Sequence, residues 1–111
     1  MGIQHWSGDI YLVDLEPEPE MEEELENIKE LVSEKEECKV VIDFGGVETI
    51  TSSNLSRLLQ LHKLLGEGGN RLIFCNVTAT IKGVFAVTGL GGVFEFADDK
   101  FLALATLDMV G

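Results

Sequence analysis

Residues 38–44, CKVVIDF, form an apolar run interrupted only by Lys39 and Asp43. No other feature limits the choice of fold as tightly. A strand with one solvated face alternates apolar and polar side chains, whereas a nearly continuous apolar strand needs cover on both faces. Parallel or mixed sheets supply that cover, because their crossover connections lay helices over them. A second run of the same kind, residues 71–76 (RLIFCN), follows a leucine-rich stretch.

The segments around these runs fit the same architecture. Residues 3–6 and 9–15 are short β-prone stretches separated by Ser7-Gly8, which suits a hairpin or a bent pair of strands. Glu16-Pro17-Glu18-Pro19 then ends the extended run, since proline cannot donate to a ladder. Met21, Leu25, Ile28 and Val32 fall at helical spacing and predict a first amphipathic helix. Leu55, Leu58, Leu59 and Leu65, with His62, predict a second, ended by Gly66, Gly68 and Gly69. Residues 78–88 predict a third, with Ile81, Val84, Phe85 and Thr88 on one side and Gly83 inside it. A turn over 89–92 leads to a last strand at 93–96. Asp98 and Asp99 then suit the start of a closing helix through Leu107. The order β-β-α-β-α-β-α-β-α argues for an α/β fold, a mixed sheet flanked by about four helices with right-handed crossovers. With 111 residues and 45% hydrophobic content, the chain is expected to form a single domain over 1–111.

Charge excludes two partner classes. The formal net charge is -12, from 20 acidic against 8 basic residues, and it repels phosphate backbones and anionic headgroups alike. Neither nucleic acid nor a membrane surface is expected as a partner. Eleven of the carboxylates lie within residues 16–37, so much of the charge is expected on one solvated helix face. No apolar stretch has the length of a membrane span, and no basic, apolar leader opens the chain. Cys38 and Cys75 have no metal-ligand spacing and read as buried or half-buried thiols in a reducing cytoplasm.

Enzymatic readings find little to build on. The glycines at 89, 91 and 92 begin a G-x-G pattern, but Phe94 stands where its last glycine belongs and a strand follows where a helix should. A phosphate-cradling G-x-x-x-x-G-K-[ST] is missing. His5 falls in an edge-like strand and His62 continues the leucine stripe, so neither reads as a general base. No convergent acid, base and nucleophile can be assembled, and the expectation is a non-enzymatic chain with no cofactor and no metal.

What stands out is the entrance to the second helix, where Thr51, Ser52, Ser53 and Asn54 are consecutive. A single hydroxyl caps a helix by accepting a first-turn N–H, worth about 1 kcal/mol. Capping therefore accounts for one or two of the four. The first turn also carries partial positive charge and unpaired donors, so a phosphate added there leaves the helix intact. Such a phosphate changes the surface by about 1.5 to 2 negative charges, enough to drive off a docked partner. From local physics, capping and switching both stand.

The segments VVIDFGGVETITSSNLSRLL and GGNRLIFCNVTATIKGVFAVTGLGGVFEFADDKFLALATL, with the order of elements around them, resemble the STAS domain family. Its soluble single-domain members are anti-sigma-factor antagonists. The likeness runs from about residue 8 to 107. It implies a STAS-like mixed sheet and a protein-binding module acting in transcription regulation and signal transduction. Its implied partners are an anti-sigma factor that is also a serine kinase, and a phosphatase that resets the cycle. In relatives the loop reads Asp-Ser-Ser-Gly with the first serine modified. The resemblance thus implies Ser52 as phosphoacceptor, ahead of Ser53 and Thr51, and a partner-binding loop of Thr51, Ser52, Ser53 and Asn54. Thr51 replaces the family's acidic residue and Asn54 its glycine, while Glu16-Pro17-Glu18-Pro19 replaces a Gly-x-Leu-Asp turn. A scaffold or interaction subunit of the same fold, working without phosphorylation, is the alternative, and pairing of the chain with itself into a homodimer stays open.

Overall fold

The two apolar runs become neighbouring strands at the centre of one sheet. The computed structural model describes residues 2–110, in the order β1 (Ile3–Ser7), β2 (Ile10–Asp14), α1 (Glu20–Ser33), β3 (Lys39–Asp43), α2 (Ser52–Glu67), β4 (Leu72–Cys75), α3 (Ala79–Val87), β5 (Glu95–Ala97) and α4 (Lys100–Val110). Strand order in space follows the chain, β1-β2-β3-β4-β5. β1 and β2 pair antiparallel as a hairpin around Gly8, whose φ of 51° suits a residue without a Cβ. Every later pairing is parallel, with Asp14 opposite Asp43 and Asp43 opposite Cys75 at the carboxyl ends.

Alternation along each strand sends neighbouring side chains to opposite faces, and both faces are covered. Val13, Val40, Ile42, Leu72 and Phe74 join a core with Met21, Leu25, Ile28 and Val32 of α1, Leu55, Leu58, Leu61 and Leu65 of α2, and Ile81 and Phe85 of α3. Ile10, Leu12, Val41, Ile73 and Cys75 pack instead with Ala103, Leu104 and Leu107 of α4. Three helices therefore share one face, and α4 has the other. Val40, Val41 and Ile42 are all fully buried, which is why their run carries no polar alternation. Each such side chain contributes roughly 1.5 to 3 kcal/mol by burial. Phe74 centres the larger core, with ring centroids 4.9 Å from Phe44 and 4.7 Å from Phe94.

Three details differ from the sequence expectations. The last strand begins at Glu95 and not at residue 93, because the amides of Val93 and Phe94 still bond back to Leu90 O (3.0 and 3.4 Å) and hold the turn closed. In α2 the buried stripe runs through Leu61, while Leu59 lies at its half-buried margin and His62 packs edge-on against Phe94 at 5.5 Å. The acidic face of α1 is not wholly solvated, since Glu24 is 8% exposed and accepts backbone N–H bonds from Gly2 (3.2 Å) and Glu16 (2.7 Å). These bonds tie the chain on both sides of the hairpin to α1. No side chain fits at Gly2, where an added Cβ would collide with Asp14 O. Among the described residues, no helix is long and apolar enough to cross a membrane.

Candidate functional site: the entrance to the second helix

β3 delivers the chain to this entrance through a pinned loop. At its end, Asp43 accepts from Gly45 N (2.7 Å) and from Asn76 Nδ2 (3.0 Å), with Lys100 Nζ at 3.7 Å. Phe44 N bonds to Cys75 O and Val47 N to Phe44 O, both at 2.9 Å. Val47 is buried and Ile50 packs against the larger core, so apolar contacts fasten the loop immediately ahead of the hydroxyls.

Thr51 is the N-cap, in extended backbone conformation, and its Oγ1 accepts from Asn54 N at 3.2 Å. Capping thus engages one hydroxyl of the three. Ser52 and Ser53 occupy the first turn with exposed side chains, and Thr51 is exposed beside them. The three hydroxyl residues predicted from sequence therefore stand together at the surface.

Asn54 does not stand with them. It is 2% exposed, with Nδ2 donating to Glu18 Oε2 at 2.5 Å and Oδ1 accepting from Arg57 at 3.2 Å. Glu18 Oε2 also accepts from Thr51 N at 3.3 Å. Arg57 continues the network to α1, reaching Glu26 at 3.1 Å and Glu22 at 3.6 Å. A carboxylate from the segment between β2 and α1 is thereby seated on the positive end of α2, where an anion is stabilised. Sequence reasoning missed Glu18 and Arg57. Arg57 could have been noticed as a cation three residues beyond Asn54, but nothing local marks Glu18, which is 36 residues distant from its closest partner.

Neither thiol offers a reactive nucleophile nearby. Cys38 and Cys75 are free and buried. Burial, then the charge of Asp9, raises the Cys38 thiol above its ordinary value. Burial, reinforced by Asp43, pushes Cys75 up to about 12. Lys100 is raised as well, chiefly by its hydrogen bond to Asp14. Among the described residues, no group of three or more His, Cys, Asp or Glu side chains is placed to hold a metal ion.

A mixed sheet wound in one direction, with hydroxyls on display where its second helix begins, defines a small α/β domain whose distinctive surface is a rim of loops. The family model of the STAS domain matches residues 8–102, and the chain belongs to that family. It is similar to BtrV of Bordetella bronchiseptica, assigned as an anti-sigma factor antagonist, with 29% identity over 72 residues, 65% of this chain. That match spans 62% of the relative, less than two-thirds of its length. Among solved structures, an anti-sigma-factor antagonist (STAS) domain protein from Planctomyces limnophilus superposes with a TM-score of 0.79 at 22% identity, covering 98% of each chain. The anti-sigma factor antagonist SpoIIAA in its unphosphorylated form gives 0.76 at 18% identity, covering 97% of this chain and 93% of its own. At such identities the likeness carries the fold.

Proposed function

We infer that this chain is a non-enzymatic regulatory module of the anti-sigma-factor-antagonist kind. It docks a protein partner over the α2 entrance and is switched off by phosphorylation of Ser52. The partner is an anti-sigma factor that is also a serine kinase, acting in the cytoplasm. In the switching step the Ser52 hydroxyl oxygen bonds to the terminal phosphorus of ATP held by the partner. ADP leaves, and the hydroxyl proton passes to a base of the kinase. A phosphatase restores the hydroxyl by hydrolysis to inorganic phosphate.

The observation that carries this reading is the exposure of Ser52 in the first turn of α2 while Thr51 alone performs the capping. A phosphate there adds about 1.5 to 2 negative charges without removing any bond the helix needs. It falls within the segment that matches the STAS family. Incubation with the cognate kinase and ATP, followed by mass spectrometry, is expected to place the label on Ser52. Label found only outside residues 51–53 rejects the switch.

One observation favours a second reading, a scaffold that works without phosphorylation. The α2 entrance already holds the carboxylate of Glu18, so part of its attraction for an anion is satisfied from within. Ser52→Asp separates the two readings. The switch requires partner affinity to fall about 100-fold, within the range of an allosteric or like-charge penalty, whereas the scaffold requires no change.

A further inference from the structure

Between β2 and α1, residues 16–19 cross in front of α2 and are fastened to it through one side chain. Glu18 Oε2 takes Thr51 N at 3.3 Å and Asn54 Nδ2 at 2.5 Å. Asn54 is buried, and its second polar atom is held by Arg57, which is itself paired to Glu26 and Glu22 of α1. The backbone amide of Thr51, the residue preceding Ser52, is thus bonded to a carboxylate from another part of the chain.

We propose that Glu18 is a charge-sensitive latch between the 16–19 segment and α2, and that negative charge acquired at Ser52 opens it. The inference rests on the reading of Ser52 as the modified residue. Its physics needs only the positions of the groups. A phosphate on Ser52 and the Glu18 carboxylate are like charges at one helix tip, drawn to the same cluster of donors, and each disfavours the other there. Glu18 is the group able to leave, because it reaches in on a side chain from a neighbouring segment, whereas Ser52 is part of the helix. Opening removes one anchor of Asn54 and unfastens residue 18 from α2, while Glu16 N stays bonded to Glu24 and Met21 N to Pro17 O. Modification then alters a second stretch of surface besides the α2 tip, and a partner touching both would be released more completely than by charge alone. Thermodynamic reciprocity applies: any partner that grips residues 16–19 in the latched position also disfavours charge at Ser52.

A double-mutant cycle tests the latch without kinase or partner. Ser52→Asp is made in the parent and in Glu18→Gln, which keeps the side-chain length and an acceptor while removing the charge. Thermal unfolding is expected to show Ser52→Asp about 3 °C less favourable in the parent than in Glu18→Gln, the shift that a like-charge pair produces in a chain of this size. Should Glu18→Gln fold poorly, the Asn54 side-chain amide in the nuclear magnetic resonance spectrum of Ser52→Asp alone serves instead. It is expected to move away from its position in the parent, where a Thr80→Asp control leaves it in place. Equal temperature shifts in the two backgrounds, or an Asn54 signal unmoved by Ser52→Asp, overturn the latch. A kinase that never labels Ser52 would defeat the proposed switch yet leave the cycle as it stands, so the two failures are distinguishable.

Discussion

Two helix entrances in this molecule are built on the same cap and diverge around it. At α2, Thr51 in extended conformation accepts from the amide three residues on at 3.2 Å; at α3, Thr78 does the same toward Ile81 at 3.3 Å. Both are reached from the carboxyl end of a parallel strand, and the two strands are paired. At α3 the next residues are Ala79 and Thr80; at α2 they are Ser52 and Ser53, over a buried asparagine gripped by Glu18. The α3 entrance shows what a helix of this fold needs in order to start. Whatever α2 has beyond that is surplus to starting a helix, and surplus polar detail at an exposed loop is where recognition is expected.

The largest effect expected around this comparison concerns the strand ends beneath the entrances, where Cys75 lies opposite Asp43. The Cys75 thiol is raised from an ordinary 9.0 to about 12, by burial first and by Asp43 second. A raised thiol leaves full stability below pH 9 and loses it as pH rises toward 12, because the unfolded chain releases the proton first. Over that window the loss accumulates to about 4 kcal/mol. Denaturant unfolding from pH 8 to 11 is expected to show the decline in the parent and a much shallower one in Cys75→Ala. An equally steep decline in the variant would place its origin elsewhere.

A smaller effect separates the entrances themselves. Asn54→Ala leaves the carboxylate of Glu18 and the guanidinium of Arg57 short of a partner in a partly buried site, and is expected to destabilise by about 2 kcal/mol in urea unfolding. Thr80→Ala, at the same turn of α3, is expected to change stability by less than about 0.5 kcal/mol. Similar values at both positions would erase the contrast drawn here.

The smallest effects lie in the caps. Thr51→Ala and Thr78→Ala are each expected to cost about 1 kcal/mol, and Ser52→Ala and Ser53→Ala to stay within about 0.5 kcal/mol of the parent. If Ser52→Ala proves as destabilising as Thr51→Ala in the same unfolding assay, Ser52 is part of the cap after all. The surplus would then shrink to Ser53 and the buried Asn54 held by Glu18.

Legibility from sequence followed the range of the interactions. β3 and β4 were readable because burial on both faces removes polar residues from a contiguous stretch, a signal local to CKVVIDF and LIFC. The amphipathic stripes of α1 and α2 were readable for the same reason, except where one turn was filled unexpectedly. Leu61 and Glu24 both sit three residues beyond a stripe position, Leu58 and Met21 respectively, and the i, i+3 neighbour shares the face as surely as i+4 does. The start of β5 was misplaced because Val93 and Phe94 look β-prone but are spent on the turn to Leu90. At the candidate site, the exposed hydroxyls were legible and the status of Asn54 was not. Its burial depends on a carboxylate 36 residues away, and no periodicity in a single sequence reports a contact of that kind.

The strand order never doubles back. In sheets wound outward in both directions, a cleft opens where neighbouring connections diverge to opposite faces, and small ligands lodge there. A sheet wound one way throughout, with its three crossover helices on the same face, has no such parting. Selection acting on this scaffold has no switch-point crevice to elaborate at the carboxyl ends of its strands. Variation would instead be written into the relief of its loop edge, where exchanging a few short side chains can change the clientele without disturbing the timbers below.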